Sequence, residues 1–156
     1  MRAAGDALSA QPRPGNAGLD ARLVVPNAYS ELARVSDWVR GIARERKLAR
    51  EHAHGLDLAV AEALANIMSY AYRDDARHEI IVELSALPDQ IRIRIEDDGV
   101  PFNPLELPVP EQPRGLDEAR SSGRGVQLMR SFMSEIHYAR RDNRNVLTMV
   151  LDCSAY

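Results

Sequence analysis

The spacing of apolar residues predicts two helices in the first half of the chain. Between residues 27 and 47, apolar side chains recur at intervals of three and four, which is the period of an amphipathic helix. The residues with this spacing are Leu32, Val35, Val39 and Ile42. From about Gly55 to Arg73 the pattern is apolar on most sides, which predicts a second and largely buried helix. A short strand at 21–25 precedes both helices.

A change of period in the middle of the chain predicts strands. The segments 78–87 and 90–99 are rich in β-branched residues and are separated by a short Pro-Asp turn. In the second segment, Ile91, Ile93 and Ile95 alternate with charged residues. Because side chains alternate between the two faces of a strand, one face is expected to be buried and the other exposed to solvent. This alternation is typical of an antiparallel sheet that is covered on one side.

The remaining third of the chain completes the pattern of elements. A proline-rich loop spans roughly 100–122, and a Gly-framed helix begins at its end. Two closing strands, EIHYARR and NVLTMVL, flank a turn at 142–145. Together, these elements predict an α+β fold, a two-layer sandwich with helices on one face of a mixed, mostly antiparallel sheet. Residues 1–20 show no sustained period and are expected to form a mobile tail, which leaves 21–156 as a single domain.

Composition and charge narrow the class of protein. The 156 residues suffice for one domain with a full core, and the single cysteine, Cys153, excludes an internal disulfide framework. The formal net charge of −3 gives no general attraction to nucleic acid or to an anionic membrane. The single cysteine also fits a reducing compartment, so a cytoplasmic location is expected. No apolar run approaches the ~20 residues of a membrane span. One basic stretch, 40–50, is either a solvated helix end or a docking patch for an acidic partner.

The second predicted helix carries a narrow polar line. At about 100° per residue, four polar side chains fall within about 60° of one another. They are Glu62, Asn66, Ser69 and Arg73. Burying an unpaired carboxylate costs several kcal/mol, so Glu62 is expected either to have a partner or to open onto a cleft. The alternative is a plain exposed stripe.

Two glycine-containing stretches follow this helix. The stretch EDDGVPF at 96–102 puts carboxylates and Gly99 where a strand ends in a loop, and glycine permits close approach of the backbone to a ligand. The stretch SGRGVQLM at 122–129 puts Gly123 and Gly125 before an apolar helical pattern. Backbone N–H groups can converge on an anion at such a helix start. Each stretch alone also fits an ordinary turn or helix start.

Taken in order, the three stretches resemble the ATP-binding fold of the GHKL or Bergerat superfamily, which includes gyrase, histidine kinases and MutL. EALAN at 62–66 is similar to its N-box, E-x-x-x-N, and DDG at 97–99 to its first glycine box, D-x-G. GRG at 123–125 is similar to its second glycine box, G-x-G. The resemblance covers about residues 20–152. Within the superfamily, the chain looks closest to the anti-sigma-factor serine kinases of bacterial partner-switching systems.

The resemblance implies that the ligands are ATP and Mg²⁺ and gives roles to residues at the phosphate end. Asn66 would place its side-chain oxygen on Mg²⁺, a hard ion that prefers oxygen ligands. Glu62 would orient or deprotonate the attacking hydroxyl. Gly123 and Gly125 would wrap the phosphates, and Arg124 would reach the β- or γ-phosphate.

The resemblance also implies roles at the base end. Asp97 would accept a hydrogen bond from the adenine amino group, and Gly99 would give the backbone room beside the adenine. Thr148 on the last strand matches a family threonine near the same adenine edge. Tyr70 stands where many relatives carry His, and Pro101 replaces a glycine. The proline-rich loop is the candidate nucleotide lid, with a plain surface loop as the alternative.

The resemblance implies an ATP-dependent serine/threonine protein kinase and anti-sigma factor that is a homodimer. It would phosphorylate a STAS-type antagonist and bind a sigma factor, with no direct contact to nucleic acid or membrane. A second hypothesis is a nucleotide-gated protein-binding module with little or no kinase activity. Glu62 argues against that module, because sensing a nucleotide does not require a carboxylate at the γ-phosphate. A third hypothesis is the catalytic domain of a sensor histidine kinase, for which a helical hairpin with a phosphoacceptor histidine is expected ahead of the domain.

Overall fold

A computed structural model describes residues 20–108 and 124–154 of the protein. The predicted N-terminal tail, apart from its last residue, lies outside the described residues. The stretch 109–123 also lies outside them, and it contains Gly123 and most of the candidate lid. The predictions made for these segments stay predictions.

The described strands form one five-stranded sheet. They are β1 (Asp20–Pro26), β2 (Glu79–Leu87), β3 (Gln90–Asp97), β4 (Glu135–Arg141) and β5 (Arg144–Asp152). Their order in the sheet is β1-β2-β3-β5-β4, so β3 is the central strand. All four pairings are antiparallel, whereas the sequence prediction allowed a mixed sheet. Two of the pairs are joined by tight turns, which permit only antiparallel neighbours.

Three α-helices within the described residues accompany the sheet. They are α1 (Leu32–Glu45), α2 (Arg50–Tyr70) and α3 (Arg124–Phe132). The first helix starts later than predicted, because Tyr29–Glu31 forms a single 3-10 turn ahead of it. The second helix begins before the predicted Gly55 and ends before the predicted Arg73. Within residues 20–108 and 124–154, none of the helices combines the length and apolar character that a membrane span requires.

The chain reverses between α1 and α2 through a Schellman motif. Lys47 has a positive φ of 53°. Its N–H donates to the Arg44 carbonyl at 3.0 Å, and the Leu48 N–H donates to the Ala43 carbonyl at 3.0 Å. These bonds satisfy carbonyls that a helix end otherwise leaves unpaired. The motif allows α2 to pack beside α1.

The core lies between the sheet and the helices, as predicted. Ile91, Ile93 and Ile95 of β3 are at most 3% exposed, while Arg92 and Arg94 project from the opposite face. The buried residues of α2 join the same core; they are Gly55, Leu56, Ala59, Val60, Ala63, Leu64 and Ile67. The predicted α+β fold, with helices on one face of the sheet, is confirmed.

A two-residue turn sets the register of the last hairpin. Asp142 and Asn143 have positive φ values of 51° and 60°. Positive φ at both central residues is the signature of a type I′ turn, whose twist matches that of the strands. The turn pairs Arg141 with Arg144 and Arg140 with Asn145. This register decides which residues of β4 and β5 share a face of the sheet.

Candidate functional site

A cleft of about 420 Å³ opens between the 3-10 turn before α1, the middle of α2 and the start of α3. The predicted polar line opens onto it, since Glu62, Asn66 and Ser69 all line the cleft. Arg73 does not take part, because α2 ends at Tyr70 and Arg73 is exposed beyond that end. The stripe is therefore the wall of a cleft and not a plain solvated face.

The second glycine box meets the N-box carboxylate in this cleft. Arg124 and Gly125 begin α3 and line the cleft together with Glu62. A Cβ atom on Gly125 would overlap the Glu62 Oε2 atom and lie 3.1 Å from its Cδ. Any side chain at position 125 would therefore displace the Glu62 carboxylate from its place in the cleft. The first residues of α3 thus lie beside a carboxylate.

Glu62 is a carboxylic acid in a partly desolvated position. Burial raises the pKa of Glu62 above its ordinary value, because removal from water disfavours the charged form. A carboxylate with a raised pKa is a stronger proton acceptor, which suits a general base. Its position on the cleft wall leaves it open to a ligand.

Asn66 lies one turn further along α2. Its Nδ2 atom is buried and has no hydrogen-bond partner among the described residues. An unsatisfied buried amide is costly, so native proteins seldom retain one without a function. The two ends of an Asn amide are interchangeable by rotation, so the group can present either an oxygen or an N–H to a ligand. Asn66 is therefore equipped to bind a ligand in the cleft.

The first glycine box packs against the far end of α2. The Val100 N–H donates to the Ala71 carbonyl at 2.7 Å. A Cβ atom on Gly99 would clash with that carbonyl oxygen and lie 2.7 Å from the Ala71 Cβ. Glycine is needed here so that the loop can contact the helix end. Ala71 lies nine positions after Glu62, and a rise of 1.5 Å per residue puts the two glycine boxes about 13.5 Å apart along the helix.

Asp97 is a buried carboxylate at this second end of the site, with only 1% exposure. Its Oδ1 atom accepts hydrogen bonds from the Gly99 N–H and from Asn145 Nδ2, both at 2.9 Å. Burial raises the pKa of Asp97, and the two hydrogen bonds act in the opposite direction. Both bonds end on Oδ1, and among the described residues no hydrogen-bond donor reaches the second carboxylate oxygen.

Asn145 joins the elements around Asp97, and the sequence interpretation missed it. It is 3% exposed and lies directly opposite Asp97 in the pairing of β3 and β5. Its Nδ2 also donates to the Val100 carbonyl at 2.8 Å. Its Oδ1 accepts from the Phe102 N–H at 3.1 Å and from the Tyr138 hydroxyl at 2.5 Å. One side chain thus joins the aspartate, the glycine-box loop and β4.

The structure does not bring Thr148 together with Asp97. Leu147 and Met149 belong to the core on the helix side, and side chains alternate along a strand. Thr148 therefore projects from the opposite face of the sheet, where Arg94 and His137 are its neighbours in register. The expectation that Thr148 shares an adenine edge with Asp97 does not agree with this geometry, and Asn145 occupies the corresponding position.

No local pattern in the sequence identifies Asn145 as the partner of Asp97. The strand text NVLTMVL is apolar at nearly every position, so its alternation does not tell which face meets the helices. The dipeptide Asp142-Asn143 favours a two-residue hairpin turn, and that turn fixes the register of β4 against β5. The register of β5 against β3, which puts Asn145 opposite Asp97, depends on pairing between strands distant in sequence.

Comparison with known proteins agrees with this geometry. The model of the family "Histidine kinase-like ATPase domain" matches residues 25–151. The serine/threonine-protein kinase BtrW of Bordetella bronchiseptica is 33% identical over 112 residues, which cover 72% of this chain and 79% of that protein. The anti-sigma F factor of Clostridium perfringens is 30% identical over 92 residues, or 58% of this chain and 66% of that protein.

A solved structure has the same fold. It contains the RsbU and RsbW domains of a Mycobacterium tuberculosis protein and superposes with a TM-score of 0.61 at 13% sequence identity. The match covers 88% of this chain but only 33% of that longer protein. The family match over residues 25–151 and the 33% identity to a kinase confirm the predicted resemblance. The chain belongs to the histidine kinase-like ATPase domain family, in the branch that contains anti-sigma-factor serine/threonine kinases.

Proposed function

We propose that this protein is an ATP-dependent serine/threonine protein kinase and anti-sigma factor that phosphorylates a STAS-type antagonist. The observation that carries the proposal is the contact of Gly125 with Glu62, which sets a helix start and an acid on two walls of one cleft. Phosphoryl transfer to a hydroxyl uses such an acid, whereas nucleotide sensing does not. The names of the relatives, serine/threonine-protein kinase BtrW and anti-sigma F factor, support the same function.

ATP would lie along α2, with its base near Asp97 and its phosphates near Glu62. The unused oxygen of Asp97 would accept a hydrogen bond from the adenine amino group. Gly125, together with Gly123, would let backbone N–H groups approach the phosphates, and Arg124 would supply a positive charge. The separation of the two glycine boxes along α2 suits an extended nucleotide.

The transfer step would use Glu62 as a general base. The hydroxyl oxygen of the acceptor Ser or Thr attacks the γ-phosphorus, and its proton passes to a Glu62 carboxylate oxygen. The bond between the γ-phosphorus and the bridging oxygen breaks, and ADP leaves with that electron pair. Since catalysis of phosphoryl transfer is mainly positioning and charge neutralisation, Arg124 would contribute by offsetting charge on the phosphates.

The residues at the phosphate end fit Mg²⁺. Mg²⁺ usually keeps water and phosphate oxygens as ligands and takes only one or two from protein. Asn66 would supply one oxygen through the amide that lacks a protein partner. Within the described residues, no group of three or more His, Cys, Asp or Glu is arranged to hold a metal alone. When bound, the ion would neutralise charge on the β- and γ-phosphates.

The proposed partners follow from the same assignment. The protein would bind a sigma factor and a STAS-type antagonist in turn, with nucleotide and phosphorylation deciding between them. It would act in the cytoplasm as a homodimer. Sedimentation velocity tests the dimer, since a monomer at all accessible concentrations would contradict that part of the proposal.

The deciding experiment measures transfer of labelled phosphate. The purified protein is incubated with γ-labelled ATP, Mg²⁺ and each STAS-domain protein of the source genome. We expect one of them to acquire phosphoserine or phosphothreonine. ATP binding without transfer to any of these proteins would contradict a kinase and favour the nucleotide-gated binding module.

A further inference from the structure

Two large apolar side chains stand exposed at the mouth of the cleft. Tyr29 is 57% exposed and Leu128 is 41% exposed, and they are the exposed large hydrophobic residues of the described chain. They belong to different elements, the 3-10 turn before α1 and helix α3, yet both line the cleft that contains Glu62. With Leu32 they form what we call the apolar rim. Single exposed hydrophobic residues are ordinary, but their convergence on one functional cleft indicates a binding surface.

The ring of Tyr29 is held in place despite its exposure. Its hydroxyl lies 2.5 Å from Ser69 Oγ, and the Ser69 hydroxyl donates to the Ala65 carbonyl at 2.7 Å. A serine hydroxyl has one hydrogen, so Tyr29 is the donor to Ser69. This hydrogen bond holds the ring against the wall of the cleft, so the ring would lose little conformational entropy on binding. Exposed aromatic groups that are ordered in advance are typical anchors of protein interfaces.

A nucleotide does not account for the apolar rim. Asn66, Arg124 and Gly125 provide the polar surface that anionic phosphates require. The apolar rim consists of aliphatic and aromatic carbon, and contact with such atoms does not stabilise a bound phosphate. The group that must also enter here is the phosphoacceptor, because its hydroxyl has to come within hydrogen-bonding distance of Glu62.

We propose that the apolar rim is the docking surface for the phosphoacceptor segment of the protein substrate. That segment carries a large apolar side chain next to its acceptor Ser or Thr, and Tyr29 and Leu128 pack against this side chain while the hydroxyl meets Glu62. The proposal rests on the proposed kinase function and adds the chemistry that selects the substrate. The rim and Glu62 line the same cleft, so docking and transfer share one continuous surface.

The test separates affinity for the protein substrate from affinity for ATP. The variants are Tyr29→Ser and Leu128→Gln, and the matched control is Gln127→Ala, which is exposed on α3 but does not line the cleft. Each STAS-domain protein of the source genome serves as acceptor. We expect each rim variant to raise KM for the phosphorylated protein about tenfold, as truncation of an interface anchor does. We expect the Kd for ATP to be unchanged, and the control to match wild type.

The outcomes distinguish the two proposals. An unchanged KM in both rim variants, with the wild type active, would overturn the docking surface and leave the kinase intact. A parallel loss of ATP affinity would mean that nucleotide or another part of this chain covers the rim, and would also overturn it. If the wild type binds ATP but phosphorylates none of the proteins, the kinase proposal fails and the docking proposal with it. Thermal melting of each variant verifies that it is folded.

Discussion

Asn145 lies directly opposite Asp97 across β3 and β5, and its amide donates a 2.9 Å hydrogen bond to the aspartate carboxylate. These two are the buried polar residues of the described chain. Buried polar groups are stable only when their hydrogen bonds are made. The pair therefore fixes the carboxylate against the turn that begins at Gly99, whose carbonyl also accepts a hydrogen bond from Arg140 Nη1 at 2.7 Å. The last hairpin thereby supports the base end of the proposed nucleotide site.

Replacement of Asn145 should damage the base end. Asn145→Ala removes the donor to Asp97 and leaves the Tyr138 hydroxyl and the Phe102 N–H without their acceptor. Each buried group left unsatisfied costs about 1–3 kcal/mol, so we expect lower stability and an ATP affinity reduced about tenfold. Urea unfolding and calorimetric titration measure the two effects. Thr148→Ala, on the opposite face of the sheet, is the control, and a similar loss of ATP affinity there would contradict the assigned geometry.

Replacing Glu62 should affect phosphotransfer, whereas replacing Asn66 should affect the Mg²⁺ dependence of ATP binding. Glu62→Gln keeps the shape beside Gly125 but removes the base, so we expect phosphotransfer to fall about 10²–10⁴-fold while ATP still binds. Asn66→Ala removes a proposed ligand of Mg²⁺, so ATP binding should become insensitive to added Mg²⁺. Titration with ATP in the presence and absence of Mg²⁺, together with the transfer assay, distinguishes the effects of the two variants. Equal loss of binding and transfer in Glu62→Gln would refute its role as the base.

Two helical glycines should respond differently to the same change. Gly125→Ala puts a Cβ onto the Glu62 carboxylate, so we expect that carboxylate to be displaced and phosphotransfer to fall. Gly41 is a matched control, because its Cβ would meet nothing nearer than Arg44 Nη2 at 4.0 Å. Gly41→Ala should raise the free energy of unfolding by about 0.5–1 kcal/mol, as expected for a glycine inside a helix. Phosphotransfer at the wild-type rate in Gly125→Ala would contradict the requirement for this position of the Glu62 carboxylate.

The sequence predicted elements well where a period is clear and poorly where it is not. The alternation of Ile91, Ile93 and Ile95 identified both the strand and its buried face, because charged residues occupy every other position. In β5 the alternation is masked, since apolar residues occupy both faces, so the strand pattern could not test the position that the resemblance gave to Thr148. Register depends on the turn and on pairing across the sheet, which no local pattern contains.

The site was predicted in part for a similar reason. Glu62 and Asn66 lie one turn apart on a helix, so their shared face follows from local geometry. The contact of Gly125 with Glu62 and that of Gly99 with Ala71 join segments distant in sequence. The resemblance could assign these glycines a role toward a nucleotide, but not their packing against α2. That packing depends on how helices and loops meet in three dimensions.

The pH dependence of stability should report on His78. Its Nε2 lies 2.7 Å from Asp74 Oδ1, its Nδ1 lies 3.1 Å from Asp98 Oδ1, and its ring stacks on Tyr72. Hydrogen bonds to Asp74 and then to Asp98 raise the pKa of His78. A raised pKa in the folded state means that protonated His78 stabilises the fold. This stabilisation is complete below the unfolded value of about 6.5 and is lost as the pH rises through the folded pKa.

The protonation of Asp74 determines the low pH at which the same interaction is lost. The hydrogen bond with His78 lowers the pKa of Asp74, so its contribution is present above the unfolded value of about 3.9 and is lost as the pH falls through the folded pKa. Urea unfolding across this range should therefore show a loss of stability on the alkaline side that His78→Gln abolishes. His137→Gln, at an exposed position on β4, is the control. An unchanged pH profile in His78→Gln would contradict the role of this cluster.

The turn between α1 and α2 offers a site for stabilisation. Lys47 adopts a φ of 53°, which is the left-handed position that glycine fills in most Schellman motifs. A side chain costs roughly 1 kcal/mol in this conformation, so Lys47→Gly should raise the free energy of unfolding by about that amount. Lys47→Ala keeps the Cβ and removes the same positive charge near a helix end, so it should give no gain. Denaturant unfolding of both variants measures these changes in the free energy of unfolding. Equal stabilisation by Gly and Ala would show that charge, and not backbone conformation, limits stability at this position.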